Sequence, residues 1–298
     1  MNRFERLKQK GFTLVELAVV MFVVALMLAG ALIPLTTQME VRSIAETRRI
    51  MDQISEALIG FAQTNGRLPC PALGTVASGT GTAGTEQTHV ANVCPSLIGV
   101  VPWATLGVPE TDAWGRRFTY RVASVFADAN AAATWHTTAP AIQSGSATCN
   151  PPTPVPSSPT SFALCTLGEI AVRTRNVDAA SARGTAYLGT GLSAVFISHG
   201  RNGYGGFQTT GVLVNAINAN PDEVVNTSAG AAQLTPGTGV NPVASWVFYS
   251  RPHTTLSTGC SDADAAAAGT AFCEFDDLTY MVPSATLASR MISAGRLP

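Results

Sequence analysis

The chain has 298 residues, of which 46% are hydrophobic and only 12% are charged. This apolar fraction excludes a wholly disordered protein, and the length leaves room for one or two packed domains. The formal net charge of −1 gives no electrostatic footprint for nucleic acid. The only two lysines, Lys8 and Lys10, lie in the first ten residues, and every basic residue after Gly11 is an arginine.

A membrane-length apolar segment follows this basic tip. Residues 12–33 read FTLVELAVVMFVVALMLAGALI, with Glu16 as their one ionisable side chain. As a helix the segment spans about 33 Å, which matches the roughly 30 Å hydrocarbon core of a bilayer. Positive charge on its N-terminal side predicts a cytoplasmic tip and export of the remainder. Residues 29–31 (AGA) imitate a signal cleavage site, but the apolar run continues through Leu35, which favours an anchor over a discarded signal.

Glu16 is the exception within this apolar segment. A carboxylate inside a membrane costs roughly 2.5–3.5 kcal/mol on insertion scales, and such residues commonly mark function. A cut after Gly11 would give Phe12 a new α-amino group four residues before Glu16, on the same helix face. In an assembly, the amine of one subunit could then pair with Glu16 of its neighbour. The alternative is that Glu16 lies near the cytoplasmic end and reaches the membrane interface.

The sequence from Lys10 to Leu17, KGFTLVEL, resembles the leader and cleavage site of type IV prepilins and type II secretion pseudopilins. The resemblance implies that a prepilin peptidase cleaves between Gly11 and Phe12 and that Phe12 is N-methylated. It also implies that Glu16 guides assembly with other pilin or pseudopilin subunits. The helix-kinking proline that is usual in the family comes one residue earlier than Pro34 does here.

These features divide the chain into four segments. Residues 1–11 are the predicted leader, 12–35 a transmembrane and assembly helix, 36–66 its amphipathic continuation, and 67–298 a globular β-rich domain. In the third segment apolar residues recur at helical spacing, which predicts a stripe that covers the sheet of the globular domain: Val41, Ile44, Met51, Ile54, Leu58 and Phe61. Asn65-Gly66 is a typical helix end.

The globular part predicts short strands joined by Gly-, Pro- and Ser-rich connectors. The strand-like runs are 117–126, 169–175, 193–198, 245–250 and 278–282, with a final short helix at 284–294 and an extended proline-rich connector at 150–159. One long helix packed on an antiparallel sheet gives an α+β fold, which is also the fold that the pilin resemblance implies. Residues 101–103, 112–120, 199–203 and 275–278 are similar to segments of pseudopilin globular domains.

The cysteines all lie beyond the predicted anchor: Cys70, Cys94, Cys149, Cys165, Cys260 and Cys273. An even number in an exported chain favours disulfides. Six cysteines allow fifteen pairings, of which pairing between sequence neighbours would close three connectors. A zinc site is disfavoured because there is no CxxC and the four histidines, at positions 89, 136, 199 and 253, are scattered.

Acidic residues are concentrated at Asp276-Asp277, after Glu274, and at Asp222-Glu223. Carboxylate oxygens suit Ca²⁺, and some pseudopilins hold calcium in a late loop, so Asp276 and Asp277 are the calcium candidates. The alternative is that these acids cap helices and face solvent. No other cofactor is expected.

The sequence disfavours an enzyme. Residues 79–84 spell GxGxxG, but no apolar strand precedes them and no helical pattern follows, so a dinucleotide site is not predicted. Ser198 and His199 are adjacent, and neighbours on a strand point to opposite faces, so they do not form a catalytic pair.

The sequence therefore favours a minor or specialised subunit of a type IV pilus or a type II secretion pseudopilus. Its expected place is the inner membrane, crossed once, with the globular domain in the periplasm or at the cell surface. The expected partners are other pilin subunits, the prepilin peptidase and membrane lipid, with no nucleic acid. Two alternatives remain: a monomeric, signal-anchored periplasmic binding protein or enzyme, and an adhesive tip subunit with Thr-, Gly- and Ala-rich insertions.

Overall fold

The computed structural model describes residues 13–129, 160–162, 164, 166–175, 185–214, 220–227, 232–234, 245–255, 258–262 and 270–297. The predicted leader, the connector at 150–159, Cys149 and Cys165 lie outside these residues. The chain divides into two compact units, residues 1–45 and residues 46–298, and helix α1 (Leu14–Asn65) contributes to both.

The part of α1 in the first unit presents apolar side chains to its surroundings. Every described side chain from Thr13 to Met27 is exposed, and Leu14 keeps 85% of its surface accessible. A contiguous apolar surface of this kind marks a contact with lipid or protein. Among the described residues, no helix is both long and apolar enough to be assigned as a membrane span.

The second part of α1 is the centre of the core in the second unit. Ile54, Leu58 and Ala62 have no exposed surface, as the helical spacing of the apolar residues predicts. Val41 lies before this unit and is 60% exposed. Of the predicted apolar stripe, Met51, Ile54 and Leu58 are in the core. The helix packs against apolar residues of the sheet and of the C-terminal helix, including Phe118, Tyr120, Val122, Ile170, Val172, Phe196, Phe248, Val282 and Leu287.

The end of α1 is fixed by the C-terminus of the chain. Gly66 has a φ of 72°, the left-handed conformation that commonly ends a helix, as Asn65-Gly66 predicts. The guanidinium of Arg296 donates to the carbonyl oxygens of Gln63 and Thr64 at 2.6 and 2.7 Å. These carbonyls lie in the last turn, where no helical N–H can reach them, so Arg296 supplies donors that α1 lacks.

The remaining elements are short. The strands are β1 (Ile98–Val100), β2 (Arg116–Arg117), β3 (Thr119–Val122), β4 (Ile170–Arg175), β5 (Thr185–Ser198), β6 (Phe207–Gln208), β7 (Ala232–Leu234), β8 (Ser245–Tyr249) and β9 (Leu278–Pro283). The helices are α2 (Trp103–Leu106), α3 (Ser124–Ala127), α4 (Pro221–Asn226) and α5 (Ser284–Ser293). The predicted run at 117–126 is thus interrupted: it holds the end of β2, all of β3 and most of α3.

The sheet is mixed rather than purely antiparallel, which corrects the prediction. Its order is β1-β3-β5-β4-β8-β7, with β9 also paired to β5, and β2 pairs separately with β6. Most pairs are antiparallel, but β4 and β8 run parallel, with Ile170 opposite Trp246. A parallel pair needs a long crossover connection, and more than sixty residues separate these two strands. A strand-by-strand reading of the sequence carries no signal for this pairing.

Arg117 joins the irregular segment after α1 to the two-stranded pair of β2 and β6. Its side chain is fully buried, and its guanidinium donates to the carbonyl oxygens of Gly74 and Val76, both at 2.8 Å. The same group forms an ion pair with Glu110 at 2.8 Å and lies 4.5 Å from the ring centroid of Trp103. One buried cation therefore satisfies backbone carbonyls that lie outside any strand.

We expect Arg117→Ala to lower the free energy of unfolding by about 3–5 kcal/mol, because it leaves buried acceptors without a donor. The measurement is urea unfolding of the full chain in detergent. The control is Arg49→Ala, which removes an exposed ion pair with Glu46 on α1 and should cost no more than about 0.5 kcal/mol. Equal losses in the two variants would contradict this role for Arg117.

Candidate functional site

The structure describes the predicted assembly carboxylate but not the predicted processing site. Gly11 and Phe12 lie outside the described residues, whereas Thr13 and Glu16 lie at the start of α1. The carboxylate of Glu16 accepts from the backbone N–H and from the hydroxyl of Thr13, both at 2.9 Å. The backbone N–H of Glu16 in turn donates to the Thr13 hydroxyl oxygen at 3.3 Å. This reciprocal arrangement is a capping box, which begins a helix.

The capping box gives Glu16 a role within its own helix. Backbone N–H groups in the first turn of a helix have no helical partner, and a carboxylate there also faces the positive end of the helix dipole. The sequence carries the signal for it, because Thr13 and Glu16 have the T-x-x-E spacing of a capping box. The sequence analysis considered Glu16 only as a partner for an amine or for the membrane interface, and missed this contact.

The cysteines form two disulfides within the described residues, Cys70–Cys94 and Cys260–Cys273. Both disulfides join cysteines that are neighbours in the sequence. They correspond to two of the three neighbour pairings named in the sequence analysis. Cys149 and Cys165, the third such pair, lie outside the described residues.

The structure joins the two acidic concentrations of the sequence into one buried cluster. Asp276 and Asp277 directly precede β9, and Glu223 lies in α4. Helix α4 starts where it does because the side chain of Asn220 accepts from the N–H of Asp222 at 2.9 Å, with Pro221 at the first helical position. Glu223, Asp276 and Asp277 are all buried, and each offers an oxygen within 4.8 Å of the others.

Backbone and amide donors position the oxygens of this acidic cluster. The N–H of Asp276 donates to Glu223 at 2.9 Å, and the N–H of Asn202 donates to Asp276 at 2.8 Å. The side-chain amide of Asn226 donates to Asp277 at 2.8 Å. Gly200 allows this close approach: its φ is +53°, and a Cβ there would lie 2.4 Å from the carbonyl oxygen of Asp276.

The acidic cluster has more acceptors than donors. Within the part of the chain that the structure describes, Oδ1 of Asp276 and Oδ1 of Asp277 are buried without a hydrogen-bond partner. Nδ1 of His199 lies 3.6 Å from Oδ1 of Asp277, too far for a hydrogen bond. Burial, reinforced by the charge of Asp277, raises the pKa of Glu223 to about 9, and burial raises the pKa of Asp276 to about 6.

Buried carboxylates with unused oxygens and raised pKa values suit a bound divalent cation. Oxygen-only ligands at this density are the donors that Ca²⁺ prefers. The predicted candidates Asp276 and Asp277 are both in the acidic cluster, and Glu223 is a third carboxylate there that was not predicted together with them. The contact was not predicted because Glu223 and Asp276 are more than fifty residues apart along the chain.

Asp222, the neighbour of Glu223, has a different role. Its carboxylate accepts from Arg175 at 2.7 and 2.8 Å and lies 3.2 Å from Arg251. Arg251 also pairs with Asp262 at 3.1 Å. Asp222 is therefore neutralised by two cations, Arg175 and Arg251.

The residues considered for catalysis have separate partners. The hydroxyl of Ser198 donates to Asp112 at 2.6 Å, while Nε2 of His199 lies 2.7 Å from the Thr119 hydroxyl. The segment 79–84 is a series of turns rather than a strand-to-helix junction. The prepilin-type motif described next indicates a structural protein.

Residues 6–32 match the family model described as "Prokaryotic N-terminal methylation motif". No curated protein and no solved structure is similar enough to this chain to count as a match. The motif indicates a precursor that is processed like a prepilin, with a membrane-anchored N-terminus and a domain outside the cytoplasm. The N-terminal segment of this chain thus carries the prepilin-type methylation motif, which is consistent with the type IV pilin and pseudopilin family.

Proposed function

We propose that this protein is a minor pilin or pseudopilin that is cleaved after Gly11, methylated on Phe12 and assembled into a filament through α1. The observation that carries the proposal is the methylation motif at residues 6–32. Residues 12–35 anchor the precursor in the inner membrane by a single span, and the domain that begins at residue 67 lies in the periplasm. Other pilin subunits and the prepilin peptidase are its partners.

The exposed apolar surface of α1 supports assembly as the role of this helix. Leu14, Val15 and Leu17 remain 61–85% exposed, and such a surface needs lipid before assembly and neighbouring helices after it. Glu16 is the one carboxylate in this apolar run. It pairs in the filament with the new amine of a neighbouring Phe12, which compensates the cost of burying its charge.

We further propose that the acidic cluster of Glu223, Asp276 and Asp277 binds Ca²⁺. The unpartnered Oδ1 atoms of Asp276 and Asp277 support this, because a buried carboxylate oxygen without a donor is costly and a cation removes that cost. A bound ion would join α4 to the start of β9 and hold the edge of the domain in one arrangement.

The second candidate function is a monomeric, signal-anchored periplasmic binding protein or enzyme. It keeps the apolar segment as an anchor but requires neither cleavage after Gly11 nor a carboxylate at residue 16. Only the pilin proposal requires these two features, so testing them separates the two candidates.

Gly11→Ala should leave the uncleaved precursor in the membrane, because the peptidase recognises the residue before the cut. The measurement is mass spectrometry of the N-terminus in a host with the prepilin peptidase and in one without it. The wild-type chain should begin at methylated Phe12 only when the peptidase is present. Normal cleavage of Gly11→Ala, or a wild-type cut near Ala31, would contradict the processing assignment.

Glu16→Ala should be cleaved normally and yet enter filaments at least tenfold less than the wild type. Thr13→Ala is the matched control: it breaks the same capping box, at a cost of about 1 kcal/mol, but keeps the carboxylate. Quantitative blotting of sheared filaments measures incorporation. If both variants fall equally, Glu16 acts through the capping box alone and the pairing with a neighbouring amine is wrong.

Calcium should stabilise the full chain in detergent by about 2.7 kcal/mol at one hundred times its dissociation constant, and Mg²⁺ should stabilise it less. Glu223→Gln and Asp277→Asn should each remove most of the stabilisation, as measured by thermal unfolding with and without Ca²⁺. Glu56→Gln, an exposed acid on α1, is the control and should respond as the wild type does. An unchanged response in the two cluster variants would reject the site.

A further inference from the structure

His89 lies against the Cys70–Cys94 disulfide. Its Nε2 is 3.4 Å from the sulfur of Cys70 and 3.9 Å from the sulfur of Cys94. The same nitrogen lies 2.8 Å from the carbonyl oxygen of Ala127. The sequence spacing of the histidines gave no sign of this arrangement, because His89 reaches the pair from the turn-rich segment between the two cysteines.

The two sulfur–nitrogen distances are already close to those between zinc ligands, whereas the two sulfurs are bonded to each other and must separate. Zn–S bonds of about 2.3 Å and Zn–N bonds of about 2.0 Å in a tetrahedron place ligand atoms roughly 3.5–3.8 Å apart. The two Sγ–Nε2 distances lie close to this range, and the three atoms fall within 4.8 Å of one another. The Cα atoms of the cysteines are 5.6 Å apart, so the sulfurs can separate by rotation about χ1 without moving the backbone.

We propose that Cys70, His89 and Cys94 form a Zn²⁺ site when their disulfide is reduced, so that the metal replaces the disulfide as the cross-link of residues 70–94. A small-molecule dithiol is the reductant. It supplies two electrons and two protons, which convert the disulfide into two thiols, and it becomes a cyclic disulfide itself. Zn²⁺ then displaces both thiol protons to solvent and binds two thiolates and Nε2 of the neutral imidazole, while the Nε2 proton that faces the Ala127 carbonyl passes through solvent to Nδ1.

The surroundings favour a cation at this place. Asp128 follows Ala127, and its Oδ1 is buried without a hydrogen-bond partner among the described residues. Burial raises the pKa of Asp128 to about 6 and the charge of His89 opposes the rise, so this carboxylate is within electrostatic reach of the imidazole. The backbone N–H of Cys70 donates to Glu86, whose carboxylate is already paired with Arg67 at 2.9 Å, so Asp128 is the carboxylate near the pair that has an unused oxygen.

The exposed turn next to Cys94 gives a metal ion access. Val90 pairs with Val93 across Ala91 and Asn92, which both have positive φ, as a two-residue hairpin turn requires. Val90 is 65% exposed, so this turn lies at the surface, and His89 directly precedes it. Cys70 and Cys94 are themselves buried, so a reductant and an ion reach the two sulfurs when this turn opens locally.

The other described disulfide is a natural control. Around Cys260–Cys273, the N–H of Cys273 donates to Asp262 and its carbonyl accepts from Arg251, both at 3.1 Å. Arg251 is a cation beside this pair, and among the described residues no group of three potential metal ligands includes Cys260 or Cys273. Reduction of Cys260–Cys273 should not create a metal site.

The test uses the full chain in detergent, reduced by a dithiol that is then removed without oxygen, and titrated with Co²⁺ as a spectroscopic substitute for Zn²⁺. We expect one Co²⁺ to bind with the thiolate charge-transfer band of a tetrahedral site, and one equivalent of Zn²⁺ to remove the band. Oxidised protein should give no band. Cys260→Ser/Cys273→Ser and Cys149→Ser/Cys165→Ser should keep the band, and Cys70→Ser/Cys94→Ser should abolish it.

His89→Ala provides the readout that does not depend on the cysteines. Both described disulfides remain in this variant, so its folding can be verified in the oxidised state before reduction. Its Co²⁺ affinity should fall at least tenfold. The proposal is wrong if no band forms, if the band survives in Cys70→Ser/Cys94→Ser, or if His89→Ala binds Co²⁺ as tightly as the wild type.

Discussion

The packing of the second part of α1 against the mixed sheet is the interaction on which the rest of the structure depends. Burial of apolar surface contributes about 25 cal/mol per Å², and three residues of this helix, Ile54, Leu58 and Ala62, retain no accessible surface. The same helix begins with exposed apolar side chains at Leu14 and Val15. One continuous element therefore provides the core of the domain and the surface that needs an external partner.

This division places strict demands on the composition of α1. Its later half must alternate apolar and charged faces, because one face meets the sheet and the other meets solvent. Its first half has no such alternation and keeps Glu16 as its one charge. The capping box with Thr13 gives that carboxylate two donors within its own helix.

Arginine is the cation that stabilises the domain internally. The domain has no lysine, and Arg117, Arg121, Arg175 and Arg251 are all buried. Each lies over an aromatic ring, as Arg121 does at 3.9 Å from the centroid of Trp246. A planar guanidinium donates in several directions and stacks on a ring at the same time, which an ammonium group does not do. The irregular connectors obtain much of their hydrogen bonding from such side chains.

Local patterns in the sequence predicted the parts of the fold that depend on local chemistry. Helical spacing identified Met51, Ile54 and Leu58 as core, and Asn65-Gly66 ended the helix as predicted. The runs that became β4, β8 and β9 were placed within a few residues, because short apolar stretches between turn residues form strands. The capping box was also present as a local pattern, although its role was not recognised.

Contacts between distant parts of the chain were not predictable in this way. The parallel pairing of β4 with β8 and the approach of Glu223 to Asp276 depend on how the chain crosses the sheet. The position of His89 at Cys70 and Cys94 depends on the path of a turn-rich segment that has no periodicity. Ligand spacing in a sequence identifies metal sites only when one element carries several ligands, and here Glu223 is 53 residues from Asp276 and His89 is 19 residues from Cys70.

The two clusters of potential ligand groups lie at comparable places in the domain. The acidic cluster lies where α4 meets the start of β9, and the cysteine–histidine cluster lies where residues 70–94 return to the sheet. At both places a long connector reaches the core without a strand of its own, so hydrophobic burial alone does not fix it. A cross-link satisfies this need at little cost in sequence, since two or three polar side chains replace an extended apolar contact. The same requirement explains why a disulfide or a buried arginine occurs where such a connector ends.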